Sequence, residues 1–290
     1  MKNILITGAN GQLGQELQGL SYTHVYKLYK FLLTGRDNLD ITNQDEIENF
    51  FANNQIDCVI NCAAYTNVDK AESDTEMAML VNGLAVEWLV NAARKKNAHF
   101  LHISTDYVFD GTNHLPYKEE DPTNPVTVYG KTKLEGEQAV LKYVYGTVVR
   151  TSWLYSSQGS NFFNTILKRG SERDDLNVVN DQVGTPTYAR DLARVLLSLA
   201  EQTLAEDNSY KGGLFHYSNE GVCSWYDFAT DIVKLTGLHC RVNPIDTSQY
   251  PAPAKRPHYS VMNKAKIKSQ LSITIPHWRD SLLSCIDQLV

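Results

Sequence analysis

The chain has 290 residues, of which 42% are hydrophobic, 21% charged and 10% aromatic, a globular composition long enough for one large domain or a main domain with a smaller partner. Its 27 basic and 33 acidic residues are spread without long runs and leave a net charge of −6, which excludes the electrostatic footprint of a nucleic-acid or anionic-membrane binder. The opening MKNILITGAN has too short an apolar run for a signal segment and no stretch approaches a membrane span, so the expected compartment is the cytoplasm.

In chain order, short apolar runs alternate with helical patterns through the first half. NILIT (3–7), FLLT (31–34), DCVIN (57–61), HFLHIS (99–104) and GTVVRTS (146–152) read as buried parallel strands. Between them GQLGQELQGL, NQDEIENFFANN, EMAMLVNGLAVEWLVNAARKK and GKTKLEGEQAVLKY carry helical periodicity. This alternation predicts an α/β fold: a Rossmann-like, doubly wound parallel sheet over residues 1–153. Beyond it the pattern loosens. NFFNTILKRGSERDD, YARDLARVLLSLAEQTL and WYDFATDIVKLTGL read as helices, the last with Gly237 as its stop signal, and PAPAKRPHYS as a proline-rich loop before a helical tail. Residues 154–290 are therefore expected to form a smaller, mainly substrate-binding α+β lobe, with a segment around 176–204 returning to the first domain. Of the five cysteines, Cys58 and Cys62 form a C-x-x-x-C that lacks zinc-ribbon spacing and reads as buried free thiols. The eight histidines form no HExxH-type cluster, so no metal site is predicted.

The first strand runs into TGANGQLG, with Gly8, Gly11 and Gly14 spaced G-x-x-G-x-x-G before an amphipathic helix. Such a turn lets backbone approach a pyrophosphate at the helix N-terminus, where free N–H groups and the helix dipole favour anions. At the tip of the second strand, LLTGRDNLDI offers Arg36 where an NAD-preferring domain places an acid. Arg36 suits a 2′-phosphate and favours NADPH, while the neighbouring Asp37 leaves NADH open. Asp40 and Ile41 follow where such a domain holds the adenine.

Two Tyr-x-x-x-Lys pairs occur, and with 16 tyrosines roughly one is expected by chance. Tyr26 and Lys30 precede the second strand and lead away from the nucleotide. Tyr129 and Lys133 open the helix after the fourth strand, behind HISTDYVFDG, where a doubly wound sheet binds its ligands. A phenol has a pKa of about 10, and an ammonium one turn away stabilises its phenolate. Thr105 is placed to bond the same carbonyl oxygen. Tyr129, Lys133 and Thr105 thus read as the catalytic set.

At this point the sequence resembles a known family. TGANGQLG, NCAAYTNVDKAE, STDYVFDG, YGKTKLEGE, RTSWLY and NDQVGTPT, in that order and continuing to PAKRPHYSVMN near residue 263, resemble the dTDP-4-dehydrorhamnose reductases of the extended short-chain dehydrogenase/reductases. The resemblance implies reduction of the 4-keto group of dTDP-6-deoxy-L-lyxo-4-hexulose to dTDP-L-rhamnose with NAD(P)H, the last step of dTDP-rhamnose synthesis. It implies that Tyr129 protonates the developing alkoxide, and that Lys133 lowers the phenol's pKa and binds the nicotinamide ribose. It places Asn10, Gly11, Gln12 and Leu13 at the pyrophosphate and Ala63, Ala64 and Tyr65 beneath the cofactor. It sets Asp106 beside the sugar, Trp153 against the substrate and Arg256 at the diphosphate. Members that use Mg²⁺ at a subunit contact leave a homodimer open. Glu16 fits one carboxylate of such a site, but Arg190 stands where an acid is needed and the tail SCIDQLV offers only Asp287, so Mg²⁺ is undecided.

Two rivals follow. One is another nucleotide-sugar enzyme, an epimerase or a dehydratase; the missing carboxylate after Asp106, where Tyr107 stands, argues against dehydration. The other is a non-catalytic NADP-binding regulatory subunit, which has no need of the proton donor. Fold alone does not choose between them.

Overall fold

The computed structural model describes residues 1–23, 26, 28–205 and 210–289; Val25 and Lys27 of the VYKLYK stretch and the terminal Val290 lie outside them. The first half runs β1 (Lys2–Thr7), α1 (Gln12–Ser21), β2 (Tyr29–Thr34), α2 (Gln44–Asn53), β3 (Cys58–Asn61), α3 (Val68–Ala71) and α4 (Thr75–Met79). A π-helical turn (Leu80–Leu84) leads into α5 (Ala85–Lys95), β4 (His99–Thr105), α6 (Val128–Leu141) and β5 (Gly146–Thr151). The second half runs β6 (Leu154–Tyr155), α7 (Phe162–Glu172), β7 (Asp175–Val179), β8 (Val183–Gly184), β9 (Thr187–Tyr188) and α8 (Ala189–Thr203). It continues through β10 (Gly213–His216), β11 (Cys223–Ser224), α9 (Trp225–Leu235), β12 (Arg241–Ile245), α10 (Ala265–Leu271) and α11 (Trp278–Ile286).

A parallel sheet of order β2-β1-β3-β4-β5-β10 forms the frame. The chain leaves β1 for β2 on one side and crosses back to β3 on the other, creating a switch point beside β1. Alternate residues of a strand face opposite sides, and the core divides accordingly. Ile4 and Ile6 of β1 pack with α1, α8 and Ile267, whereas Leu5 packs with α2, α5, Phe100 and Val148. A third cluster around Tyr155, Phe163, Ile166, Phe228, Trp278 and Leu282 forms the core of the lobe. The lobe holds three small strand pairs, β6 with β9, β7 with β12 and β8 with β11. Helix α8 crosses from this lobe to pack along α1, and β10 joins the main sheet beside β5.

Local chemistry sets the helix ends. The Thr127 side chain accepts from Gly130 N to cap α6, and Ser224 with Asp227 forms a capping box on α9. Gly237, at φ +69°, follows the end of α9 as its pattern implies. The helix expected over 76–96 is interrupted at Leu80–Leu84, because Asn82 turns its amide out to the backbone of Tyr65, accepting from its N at 2.8 Å and donating to its O at 3.1 Å.

Helix α6 is fixed to the sheet by a buried ion pair. Arg150 of β5, 3% exposed, donates Nε to both oxygens of Glu137, itself 1% exposed, at 3.0 and 3.2 Å, and Nη2 to Oε2 at 2.7 Å. The guanidinium also lies 5.0 Å over the Phe109 ring and 3.4 Å from His216. Burial and the neighbouring Arg150 push the His216 pKa down to about 3, so the imidazole stays neutral beside the cation. Glu137→Ala strands a guanidinium in the interior and is expected to destabilise the protein by about 3–5 kcal/mol, read from its urea midpoint; an unchanged midpoint contradicts the assignment.

Candidate active site

The carboxyl ends of β1, β2, β3, β4 and β5 open on a cleft of about 1030 Å³ that runs from the β1–α1 turn to the lobe. At one end the chain turns at Gly8, whose φ is +66°. A Cβ there would stand 2.6 Å from Ala63 N, and one at Gly14 would strike the Gly8 carbonyl and the Ala9 backbone. Only glycine permits this closeness. The N-cap of α1, Gly11, has no side-chain cap, so the first-turn N–H groups face the cleft without an intramolecular carboxylate or hydroxyl to satisfy them. The turn thus fits a dinucleotide pyrophosphate, with Gly8, Asn10, Gly11, Gln12, Leu13 and Gly14 all lining it.

Arg36, Asp40 and Ile41 line the cleft at the tip of β2. Arg36 is exposed and bonds Asp40 across 3.3 Å, and hydrogen bonds from Thr42 hold the Asp40 carboxyl below its usual range despite partial burial. Asp40 is therefore committed to a local turn, while the guanidinium remains free on its outer side for an anionic group. Ala63, Ala64 and Tyr65 form the wall after β3; the Tyr65 hydroxyl donates to Asp74 at 3.0 Å.

Deeper in, Thr105, Asp106, Tyr129 and Lys133 converge. Gly130 lets this end of α6 lie directly on the Tyr107 carbonyl, a contact any side chain would block. Thr105 Oγ1 accepts from Tyr107 N at 3.2 Å and donates to Asp106 Oδ1 at 3.0 Å, and the same hydroxyl partly offsets the effect of burial on the Tyr129 phenol. Tyr107 packs its ring edge-on to Tyr129, 5.5 Å between centroids. Lys133 is 2% exposed; its Nζ donates to the Ile103 carbonyl at 2.7 Å.

Desolvation governs the charges here. It pushes Tyr129 up to about 12 and Lys133 down to about 8, with Glu137 and Cys62 opposing the latter shift. Among the chain's own groups burial dominates, and the phenol is held protonated. Asp106 is buried, burial pushes its carboxyl up to about 7, and its Oδ2 has no hydrogen-bond partner in the protein. An orphaned carboxyl oxygen facing a cleft is a natural contact for a ligand hydroxyl.

Trp153 lines the cleft at the end away from the glycine turn. It sits at φ +47°, a left-handed conformation costly for a bulky side chain, and its ring stacks on Trp225 with centroids 3.6 Å apart. Gly184 backs the same ring; a Cβ there would come 2.7 Å from it. Arg256 does not line the cleft: both Nη atoms engage Asp69, at 3.1 and 2.7 Å, tying the proline-rich loop to α3. The pair Tyr26 and Lys30 is likewise outside the cleft. Residues the sequence reading passed over include Gly159, Ser160 and Asn161, which bring the lobe onto the glycine turn through Asn161 Nδ2 donating to Gln12 Oε1 at 3.2 Å. Their available signal was Asn161 as an N-cap, which it is for α7.

Glu16, the carboxylate offered for magnesium, is buried with Oε2 3.5 Å from Arg190 Nη1, and burial raises its pKa although Arg190 and Arg194 oppose the rise. Asp287 falls in the last turn of the chain. Among the described residues no group of three or more His, Cys, Asp or Glu is arranged to hold a metal ion. An arginine facing Glu16 does not fit a cation site.

Gly8→Ala combines a forbidden φ with a clash. It is expected to weaken binding of a reduced dinucleotide at least about tenfold and to lower stability by about 1–3 kcal/mol, measured by fluorescence titration and thermal unfolding. Binding as tight as that of the unsubstituted chain contradicts the placement.

Comparison with known proteins agrees with this geometry. The family model described as the RmlD substrate binding domain matches residues 1–290. A dTDP-4-dehydrorhamnose reductase of Aggregatibacter actinomycetemcomitans is 40% identical over 289 residues, covering 97% of each chain. The crystal structure of the dTDP-4-dehydrorhamnose reductase from Clostridium acetobutylicum superposes with a TM-score of 0.92 at 43% identity, covering 99% of both chains. That of the Bacillus anthracis dTDP-4-dehydrorhamnose reductase, in complex with NADP, gives 0.93 at 34% identity, covering 99% of this chain and 100% of the other.

Proposed function

The chain belongs to the RmlD family of dTDP-4-dehydrorhamnose reductases, and on that premise we propose how its cleft performs the reaction. It is an NADP-dependent oxidoreductase of the final step of dTDP-rhamnose synthesis: the 4-keto group of dTDP-6-deoxy-L-lyxo-4-hexulose is reduced to give dTDP-L-rhamnose. The observation that carries the mechanism is the convergence of a protonated phenol, a hydroxyl and a buried ammonium at the head of α6, beside a glycine turn fit for a dinucleotide.

Gly8 to Gly14 would hold the pyrophosphate by backbone N–H groups, and Arg36 would take the 2′-phosphate at the rim. Ala63, Ala64 and Tyr65, which wall the cleft, would support the dinucleotide. When bound, the reduced nicotinamide supplies the hydride that goes to C4 of the sugar. Tyr129 and Thr105 bracket the oxygen on that carbon, and Tyr129 gives it a proton as the carbonyl π bond becomes an O–H bond. The resulting phenolate is stabilised by the Lys133 ammonium and takes a proton from water before the next turnover. Asp106 offers its unpartnered Oδ2 to a sugar hydroxyl, and Trp153 supplies an apolar wall. Tyr107 fills the place where a dehydratase carries its second acid, packed against Tyr129. All five cysteines are free and no helix among the described residues is long and apolar enough to cross a membrane; both suit the cytoplasm, where we place the enzyme.

Tyr129→Phe removes the proton donor and leaves the cleft's shape. It is expected to lower kcat by about 10²–10⁴-fold with NADPH affinity retained, in single-turnover and binding measurements; normal turnover removes Tyr129 from the mechanism. Lys133 carries its charge below about 8 and loses it above, so kcat is expected to fall as pH rises through that value. A profile flat to pH values well beyond it contradicts the role of the ammonium.

A further inference from the structure

Beneath Lys133 lies a line of buried polar groups that the reaction as described does not use. His102, in the middle of β4 and 0% exposed, has Nε2 3.3 Å from Lys133 Nζ. Its Nδ1 is 3.0 Å from the Asn61 side-chain amide at the end of β3, and the other end of that amide is 2.6 Å from the hydroxyl of Thr7 at the end of β1. Asn61 and Thr7 are each 1% exposed. Three adjacent strands thus contribute one polar group apiece to a chain that ends on the ammonium. Polar groups buried this deeply are retained in a sheet core only when they satisfy one another.

The proton count along this line is constrained. Burial and the adjacent ammonium hold the His102 pKa well below its ordinary value, so the ring is neutral and carries one N–H. If Asn61 donates its NH₂ to Nδ1, the ring proton sits on Nε2 and two N–H groups confront each other at Lys133. The ends of a carboxamide are nearly alike in shape, and its partners decide its orientation. With the Asn61 oxygen facing the ring, Nδ1–H donates to it, the Asn61 NH₂ donates to Thr7 Oγ1, and Nε2 presents its lone pair to Lys133. The amide and both ring nitrogens then each have a partner, and no two N–H groups face one another. Lys133 donates one N–H to Ile103 O and one to His102, and keeps the third for the cleft it lines.

We propose that His102, held in a single tautomer by Asn61 and Thr7, is a positioning residue that accepts an N–H from Lys133 and so keeps that side chain charged and aimed into the cleft. The proposal rests on the reductase reading for its consequence in catalysis, but not for its structural content. The other titratable or charged groups around Lys133 are Tyr129 and Glu137 on its own helix, the latter locked to Arg150 of β5, with Cys62 past the end of β3 and Asp106 beyond Tyr129. None of these is altered by changing His102, so a change at Lys133 reports on the imidazole.

The test reads Lys133 directly, by NMR titration of protein labelled at the lysine ε-carbon, with the resonance assigned through Lys133→Arg. His102→Met removes the acceptor at similar volume and is expected to lower the Lys133 midpoint by about one pH unit. His102→Gln, which restores an acceptor oxygen, is expected to return it. Asn61→Leu, which releases the ring tautomer, is expected to shift it in the same direction as His102→Met, and it carries the test if that variant does not fold. In turnover, the alkaline limb of kcat is expected to move with the midpoint and kcat near pH 8 to fall about fivefold, with KM for NADPH and sugar little changed. An unchanged Lys133 midpoint in His102→Met and Asn61→Leu, or equal losses in His102→Met and His102→Gln, overturns the proposal. Failure of the unsubstituted protein to turn over, with the midpoints shifting as expected, would instead overturn the reductase reading alone.

Discussion

The structure is organised around an ammonium that has to be kept charged out of water. Removing such a group from solvent costs several kcal/mol even after relaxation, so its surroundings have to be arranged for it. Lys133 receives the Ile103 carbonyl beneath it, the field of Glu137 one turn along its helix, and the imidazole of His102 from the neighbouring strand. Glu137 in turn answers to Arg150 of β5. Helix α6 is therefore pinned to β4 and β5 by charge as well as by apolar contact, and Tyr129, one turn before Lys133, is delivered to the cleft by the same anchoring. Two glycines permit this seating: Gly130 against the Tyr107 carbonyl and Gly136 against the Asn82 carbonyl.

Four features that break local rules gather in one place. The left-handed backbone of Trp153, the π turn at Leu80–Leu84, the orphaned Oδ2 of Asp106 and the positive φ of Gly8 all border the cleft or support its wall. The first three cost stability where they stand and the surrounding core holds them in place, while glycine makes the Gly8 turn accessible. The lobe completes the arrangement by laying Asn161 onto Gln12, so the two halves meet over the site instead of merely adjoining.

Much of the frame was legible because strands buried on both faces are continuous apolar runs, and the runs in NILIT, FLLT, DCVIN, HFLHIS and GTVVRTS each became a strand of the parallel sheet. Strand β10 was not, since Gly213–His216 is four residues flanked by glycine and polar positions and acquires its meaning from β5. The break in the 76–96 helix depends on an Asn82 contact to Tyr65, which no local periodicity contains. At the site, the glycine turn and the Tyr129–Lys133 pair could be read because their chemistry demands a spacing. Arg256 was assigned to a phosphate because nothing near it in sequence announces Asp69 as its partner. His102 was hidden for the opposite reason: inside an apolar strand it reads as packing, and only the neighbouring strands bring Asn61 and Thr7 to its far side.

The central claim is that this cleft couples oxidation of reduced nicotinamide to protonation of a sugar ketone. Its most direct test is incubation with NADPH and freshly generated dTDP-6-deoxy-L-lyxo-4-hexulose, following nicotinamide absorbance while the sugar product is identified by NMR. The account predicts one NADPH consumed for each dTDP-L-rhamnose formed. NADPH that binds without being consumed, or a keto sugar epimerised with no net oxidation, would contradict it.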